Sequence, residues 1–249
     1  MTQRVWIPTR DGQKLEGLVR KPEGKGPFPI VVFVAGLGMT MHEWNNSFDE
    51  IAQRLVDRGI MTLQFQLPTF DAQGNSYEVP ISQRATKVEE VFSWFSKQKD
   101  ILIDRIGVVA QSYGVTTALA ANLPNVRTAV WVGGAYVPKN SLAKAYEEEE
   151  ELRRSSGKST IVGKAFWEDV RKFDDVALAQ GIHFPILVIH GDKDNKIPVS
   201  DAKMVFDAIA SKKKKIIIFK GGDHSINEVP RAMREEFLED VVQWFKTTL

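Results

Sequence analysis

The chain has 249 residues, a formal net charge of +1, 43% hydrophobic and 26% charged residues, which describes an ordinary folded protein and excludes a large electrostatic commitment to nucleic acid or anionic lipid. It contains no cysteine, so disulfides, thiolate metal sites and a cysteine nucleophile are all ruled out. No stretch approaches the roughly 18 apolar residues of a membrane span, and the first residues lack the apolar region of a signal peptide, so a cytoplasmic protein without a membrane span is expected.

Val5 and Ile7, then Asp11-Gly12, then Leu15, Gly17 and Val19 predict an antiparallel hairpin. The continuous apolar run 30–35 suits a strand buried on both faces, and residues 47–58 carry apolar side chains at helical spacing. The pattern repeats. A strand over 61–65 leads into a turn-rich loop with Pro68, Asp71 and Gly74, and the next helix puts Ala85, Val88, Val91, Phe92 and Phe95 on one face. Strands follow at 105–110, 126–132, 185–190 and 215–219, with helices over 115–122 and 200–211 and a terminal helix burying Met233, Phe237, Val241, Val242 and Phe245. The basic run 212–215 leads straight into Ile216-Ile217-Ile218 and reads as a solvated corner. Strands alternating with helices imply an α/β fold: about eight strands, mostly parallel, with the first pair antiparallel and helices on both faces. In such sheets chemistry collects in the loops after the strands.

One segment breaks the alternation. Residues 135–182 separate two core strands by far more than an ordinary loop. The segment holds the acidic run 147–151, the polar stretch 153–160 and the apolar patch Ala165-Phe166-Trp167. It is either a solvated excursion with a charged helix or a lid, and its origin at the strand ends favours a lid on a single domain spanning 1–249.

Ala110-Gln111-Ser112-Tyr113-Gly114 lies at a strand-to-helix junction. A nucleophile elbow has small residues two before and two after its serine, because larger ones would strike the neighbouring strand and helix. Ala110 is the smallest departure from glycine. A serine hydroxyl needs a base within reach. Of four histidines, His183 and His190 flank an apolar strand, His42 lies near the mouth of the cleft, and His224 falls in the loop after the last strand, where it could reach Ser112. The loop 190–198 offers two carboxylates, Asp192 and Asp194, to orient that histidine. The amide of Tyr113, after the nucleophile, is the first expected oxyanion donor.

These pieces together resemble the α/β-hydrolase superfamily across essentially the whole chain, and among its members the cinnamoyl and feruloyl esterases and lipase-like serine hydrolases. The matching residues are Ala110 to Gly114, His190-Gly191-x-x-Asp194-x-x-Ile197-Pro198, and Gly222-Asp223-His224. The resemblance implies an α/β-hydrolase fold with a small lid insertion and a Ser112, Asp194, His224 triad. It places the second oxyanion donor at Leu37, in Ala35-Gly36-Leu37-Gly38-Met39, although many relatives have His-Gly where this chain has Ala35-Gly36.

The expected activity is therefore hydrolysis of small-molecule carboxylic esters through an acyl-enzyme, with no metal or organic cofactor. Gly36, Met39, Phe166 and Trp167 are the candidate pocket residues, with Trp44 and Trp131 further aromatic candidates that are as readily core. Thioesterase, acyltransferase or peptidase chemistry on the same residues, or a binding module that kept the fold, stand as alternatives. Oligomeric state and acyl specificity are not encoded in any of these motifs.

Overall fold

The computed structural model describes residues 1–67, 69–139, 141–142, 149–153 and 157–249. Pro68 of the turn-rich loop, Glu147 and Glu148 of the acidic run, and residues 154–156 of the polar stretch lie outside the described residues.

The first half of the chain runs β1 (Thr2–Pro8), β2 (Lys14–Arg20), β3 (Phe28–Val34), α1 (Ser47–Val56), β4 (Met61–Phe65), β5 (Thr69–Phe70), β6 (Ser76–Tyr77), α2 (Ile81–Phe95), β7 (Ile101–Gln111) and α3 (Tyr113–Ala120). It continues through β8 (Val126–Val132), β9 (Glu151–Arg153), β10 (Ser159–Ile161), α4 (Gly163–Val170), α5 (Asp175–Ala179), β11 (Ile186–Gly191), α6 (Val199–Ala208), β12 (Lys214–Phe219) and α7 (Arg231–Thr248). Eight strands form one sheet in the order β1-β2-β4-β3-β7-β8-β11-β12. β2 runs antiparallel to both β1 and β4, and every other neighbouring pair is parallel. The mostly parallel sheet and the opening hairpin, with Val5 opposite Gly17, are as the sequence predicts.

The apolar run of β3 explains why helices cover both faces. Ile30, Val32 and Val34 point into a core shared with Val88, Val91 and Phe95 of α2 and Ala202 and Val205 of α6. Val31 and Phe33 point the other way, into a core with Phe48, Ile51 and Leu55 of α1 and Phe237, Val241 and Phe245 of α7. A strand with two buried faces has no polar alternation to show, hence the unbroken apolar run.

Three local differences have physical causes. The expected loop around Asp71 and Gly74 is a hairpin: Asp71 Oδ1 accepts the amides of Gln73 (3.0 Å) and Asn75 (2.7 Å), and two-residue strands β5 and β6 flank the turn. Strands that short show no period. β7 begins at Ile101 instead of Arg105, because Ile103, Asp104 and Arg105 are exposed and hide its start. The end of the acidic run is strand, since Glu151 opens β9. These short strands form a second sheet, β5-β6-β10-β9, which joins the loop after β4 to the long segment between β8 and β11. Among the described residues no helix is long and apolar enough to cross a membrane.

Candidate active site

Ser112 sits where β7 turns into α3, with φ 52° and ψ −125°. That is a disfavoured backbone for a residue with a side chain, and strain of this kind persists only where its surroundings enforce it. Three hydrogen bonds do so: Ser112 N donates to Val132 O (3.0 Å), while the amides of Val115 and Ala135 donate to Ser112 O (both 3.0 Å). Gly114 makes the turn possible, since a Cβ there would lie 2.1 Å from the carbonyl oxygen of Val34. Ala110 is fully buried in the core below the turn, where its methyl group fits. Tyr113 is the first helical residue, so its amide has no acceptor one turn back.

The loop after β12 brings His224 to this serine. Its Nε2 lies 2.9 Å from Ser112 Oγ and its Nδ1 2.6 Å from Asp194 Oδ2. The assignment of protons follows from the partners: Nδ1–H donates to the carboxylate and Nε2 accepts from the serine hydroxyl. Gly133, at the end of β8, has φ +50°, and a Cβ on it would meet His224 O at 2.2 Å, so the histidine loop crosses the sheet end only because this residue has no side chain. Asp194 Oδ1 accepts the amides of Lys196 (2.8 Å) and Ile197 (2.9 Å). His190 Nε2 lies 3.2 Å from Asp194 Oδ2 and 3.0 Å from Ile197 O. Burial pushes the Asp194 carboxyl up, but hydrogen bonds from His190, His224 and Ile197 together with the His224 charge outweigh it, and hold the group well below the usual carboxylate range. Asp192 faces away from this relay and accepts the amide of Gly221 (2.6 Å).

The loop after β3 lies against the serine, and three charged side chains pin its backbone there. Arg84 Nη2 donates to Ala35 O (2.7 Å), the Gly36 amide donates to Glu43 Oε1 (2.6 Å), and the Gly38 amide donates to Glu78 Oε2 (3.2 Å). Between them, the Leu37 amide has no hydrogen-bond partner among the described residues. Arg84 is completely buried, pairs with Glu78, donates from Nε to Thr117 Oγ1 (2.9 Å) and covers the Tyr113 ring 5.1 Å from its centroid. Glu43, Glu78 and Arg84 belong to no motif in the sequence. Glu43 lies in the loop after β3, Glu78 just before α2 and Arg84 in its first turn, and each reads in the sequence as an ordinary surface charge.

The other named residues fall in different places. Gly36 lies against Ser112 Cβ, and Met39 is half-buried beside the α1 and α7 core. Phe166 and Trp167 are buried in the segment's own core, with Phe166 5.4 Å from Tyr113 ring to ring and Trp167 Nε1 donating to Glu149 O (2.8 Å), so neither faces open space in this structure. Trp131 is core, while Trp44 is half-buried and its carbonyl accepts from Asn227. His42 pairs with Asp49 at 2.6 Å and His183 is exposed. Among the described residues no group of three His, Asp or Glu side chains could hold a metal ion.

A family model described as the prolyl oligopeptidase family matches residues 46–249. The chain belongs to that family. Within it, the match takes in Ser112, Asp194 and His224 and begins after the loop that carries Leu37. Among curated proteins the chain is 29% identical to 2,6-dihydropseudooxynicotine hydrolase of Paenarthrobacter nicotinovorans, over 93% of this chain and 63% of that protein. It is 23% identical to esterase EstD of Thermotoga maritima, over 84% of this chain and 57% of that one, so it spans about three fifths of the length of these relatives. In fold it is similar to Est1E from Butyrivibrio proteoclasticus, with a TM-score of 0.80, 16% identity and 98% of both chains covered. This prolyl oligopeptidase family member thus has the α/β-hydrolase fold.

Proposed function

We propose that the chain is a serine hydrolase that cleaves small-molecule carboxylic esters through an acyl-enzyme. The observation that carries this reading is the unbroken contact from Ser112 Oγ through His224 to Asp194, at 2.9 and 2.6 Å, beside a Leu37 amide that has no partner among the described residues. Ser112 Oγ attacks the ester carbonyl carbon as His224 Nε2 takes the hydroxyl proton. Asp194 holds the imidazolium that forms. The carbonyl oxygen, now negative, is held by the amides of Leu37 and Tyr113, a contact worth roughly 3 kcal/mol per donor. The carbon–oxygen bond to the alcohol then breaks, and His224 returns its proton to the departing oxygen. Water, deprotonated by the same nitrogen, attacks the acyl-enzyme, releases the acid and restores the Ser112 hydroxyl. No step calls for a metal or an organic cofactor.

The chain acts in this reading as one α/β-hydrolase unit, with residues 135–182 and the β5–β6 hairpin forming a cap beside Ser112. The packing of Phe166 on Tyr113, and of β6 and β10 on Gly38, supports that role. The names of the relatives, a hydrolase and an esterase, favour ester substrates.

A p-nitrophenyl ester series from acetate to laurate, run beside methyl ferulate, measures the activity and its acyl range. Fluorophosphonate labelling of the wild type but not of Ser112→Ala locates the nucleophile. Retained ester hydrolysis in Ser112→Ala would overturn the reading. The family's description favours peptide cleavage as a second reading, so a peptidyl p-nitroanilide belongs in the same assay. Turnover of that amide without turnover of any ester would favour it.

A further inference from the structure

Glu43 is a buried carboxylate with no part in the steps above. Its side chain follows a strained backbone, φ 59°, and both oxygens are occupied: Oε1 accepts the Gly36 amide at 2.6 Å and Oε2 the Trp44 amide at 3.0 Å. A Cβ built on Gly36 would lie 3.0 Å from Glu43 Oε1 and 3.2 Å from Ser112 Cβ, so carboxylate and nucleophile flank the same glycine.

The chemistry of the loop explains why such a contact matters. The Leu37 N–H and the Gly36 C=O belong to one peptide plane and point in opposite directions. If that plane turns over, a carbonyl oxygen replaces the donor and repels the developing oxyanion. Gly36, on one side of that plane, makes the turn-over easier, because it carries no Cβ to oppose the change in its ψ. The plane is held from one side by the Met39 amide on Gly36 O (3.4 Å), and beyond Leu37 by Glu78 on the Gly38 amide (3.2 Å). The short bond from Gly36 to Glu43 holds the plane on the other side of Gly36, the glycine that lies against Ser112 Cβ.

We propose that Glu43 is a positioning residue of the oxyanion hole, which holds the Gly36 amide so that the Leu37 N–H stays aimed at the carbonyl oxygen bound above Ser112. Glu43 touches neither substrate nor reacting atoms and acts through the loop. This rests on the reading of Leu37 as an oxyanion donor for Ser112. An oxyanion contact tightens in the transition state, so loosening it lowers kcat and leaves KM nearly unchanged.

The test compares Glu43→Gln, Glu43→Asp, Glu43→Ala and Ser112→Ala in the full chain, with kcat and KM on p-nitrophenyl acetate and inhibition by an alkyl boronic acid, which forms a tetrahedral adduct on serine. Glu43→Ala should lose roughly 10- to 100-fold in kcat, less than the loss of a whole oxyanion donor, with KM within about twofold. Boronate affinity should fall in parallel. Glu43→Gln keeps an oxygen for the Gly36 amide, although its NH2 then faces the Trp44 N–H, and should stay within about tenfold of wild type, whereas Glu43→Asp, one methylene too short, should not. The Gln and Asp pair carries the test if Glu43→Ala does not fold. Asp matching wild type while Gln fails would overturn the proposal, since charge and not reach would then matter. Unchanged kcat in Glu43→Ala, with Ser112→Ala inactive, would overturn it alone and leave the hydrolase reading standing. An active Ser112→Ala would remove both.

Discussion

His190 Nε2 lies 3.2 Å from the same Asp194 oxygen that accepts the hydrogen bond of His224 Nδ1 at 2.6 Å. The carboxylate therefore collects two ring donors on Oδ2 and two amides on Oδ1, which is more than enough to keep it ionised although its side chain is fully buried. With its Nε2–H directed at Asp194 and Ile197 O, His190 holds the carboxylate that in turn holds the His224 ring.

Asp194→Asn should lower kcat by roughly 10⁴-fold, because an amide cannot hold the imidazolium or enforce its tautomer. The same variant tests the electrostatics. The folded carboxyl titrates below its unfolded value of about 4, so its contribution to stability is complete above that pH and is lost as pH falls toward the folded value. Urea unfolding should show the wild type ahead of Asp194→Asn by about 2 kcal/mol at neutral pH, with the gap closing below about pH 4. A gap independent of pH would contradict this account.

The buried pair Arg84–Glu78 should behave very differently from a surface ion pair. Arg84→Met leaves the Glu78 carboxylate without its partner in the interior, and breaking such a pair costs about 3–5 kcal/mol. Arg84→Met/Glu78→Gln removes the stranded charge, so the double variant should be more stable than Arg84→Met alone. Additive losses in the double-mutant cycle would mean that the two groups do not interact. Both variants should also lose kcat, because the Ala35 carbonyl loses its Arg84 donor.

Asp175, in the first turn of α5, offers a pH dependence of the opposite sign. Burial pushes its carboxyl up to about 7, against hydrogen bonds from Thr116 and Val137. Geometry points the same way: the single Thr116 hydroxyl proton is drawn to Ala135 O at 2.9 Å, and Asp175 Oδ2, 3.2 Å from that hydroxyl, is best satisfied when it carries a proton itself. A raised folded value stabilises the protein below the unfolded value of about 4, and that stability is lost as pH climbs through about 7. Asp175→Asn keeps a donor for Thr116 at every pH. Its stability relative to wild type should be near zero at pH 4 and rise by a few kcal/mol by pH 8, read from urea unfolding at both. A constant difference would count against a protonated Asp175.

The sequence showed the large sheet because its strands announce themselves: β3 and β11 are apolar runs, and α2 carries five buried residues on one face. Ser112 and His224 were visible for another reason, since each follows a strand beside glycines that mark a tight backbone, whereas the choice of Asp194 over Asp192 came from the family resemblance alone. The second sheet was hidden because β5 and β6 have two residues each and β9 and β10 three, too few for a period. Phe166 and Trp167 looked like pocket walls because an apolar pair in a polar segment says only that something covers it, and here the cover is Tyr113 and the segment itself. Glu43, Glu78 and Arg84 left no signal at all. A charge that serves a backbone amide seven or forty residues away has no spacing to betray it.

Gly133 lies outside every motif and yet decides where His224 stands. Its φ of +50° disfavours any side chain, and a Cβ there would meet the backbone oxygen of His224 at 2.2 Å, a group that cannot rotate out of the way. Gly133→Ala must therefore push the histidine loop off the sheet end or distort β8. The first is the softer response, because residues 220–226 are loop while Val132 sits in the core. The 2.9 Å contact from Nε2 to Ser112 Oγ then opens, and a displacement of about 1 Å costs on the order of 10²-fold in rate. The expected result is a folded protein with an unchanged far-ultraviolet circular dichroism spectrum, a kcat reduced on that scale, and equally slowed fluorophosphonate labelling. Wild-type labelling in Gly133→Ala would show that the histidine loop tolerates the methyl group and that its position is set elsewhere.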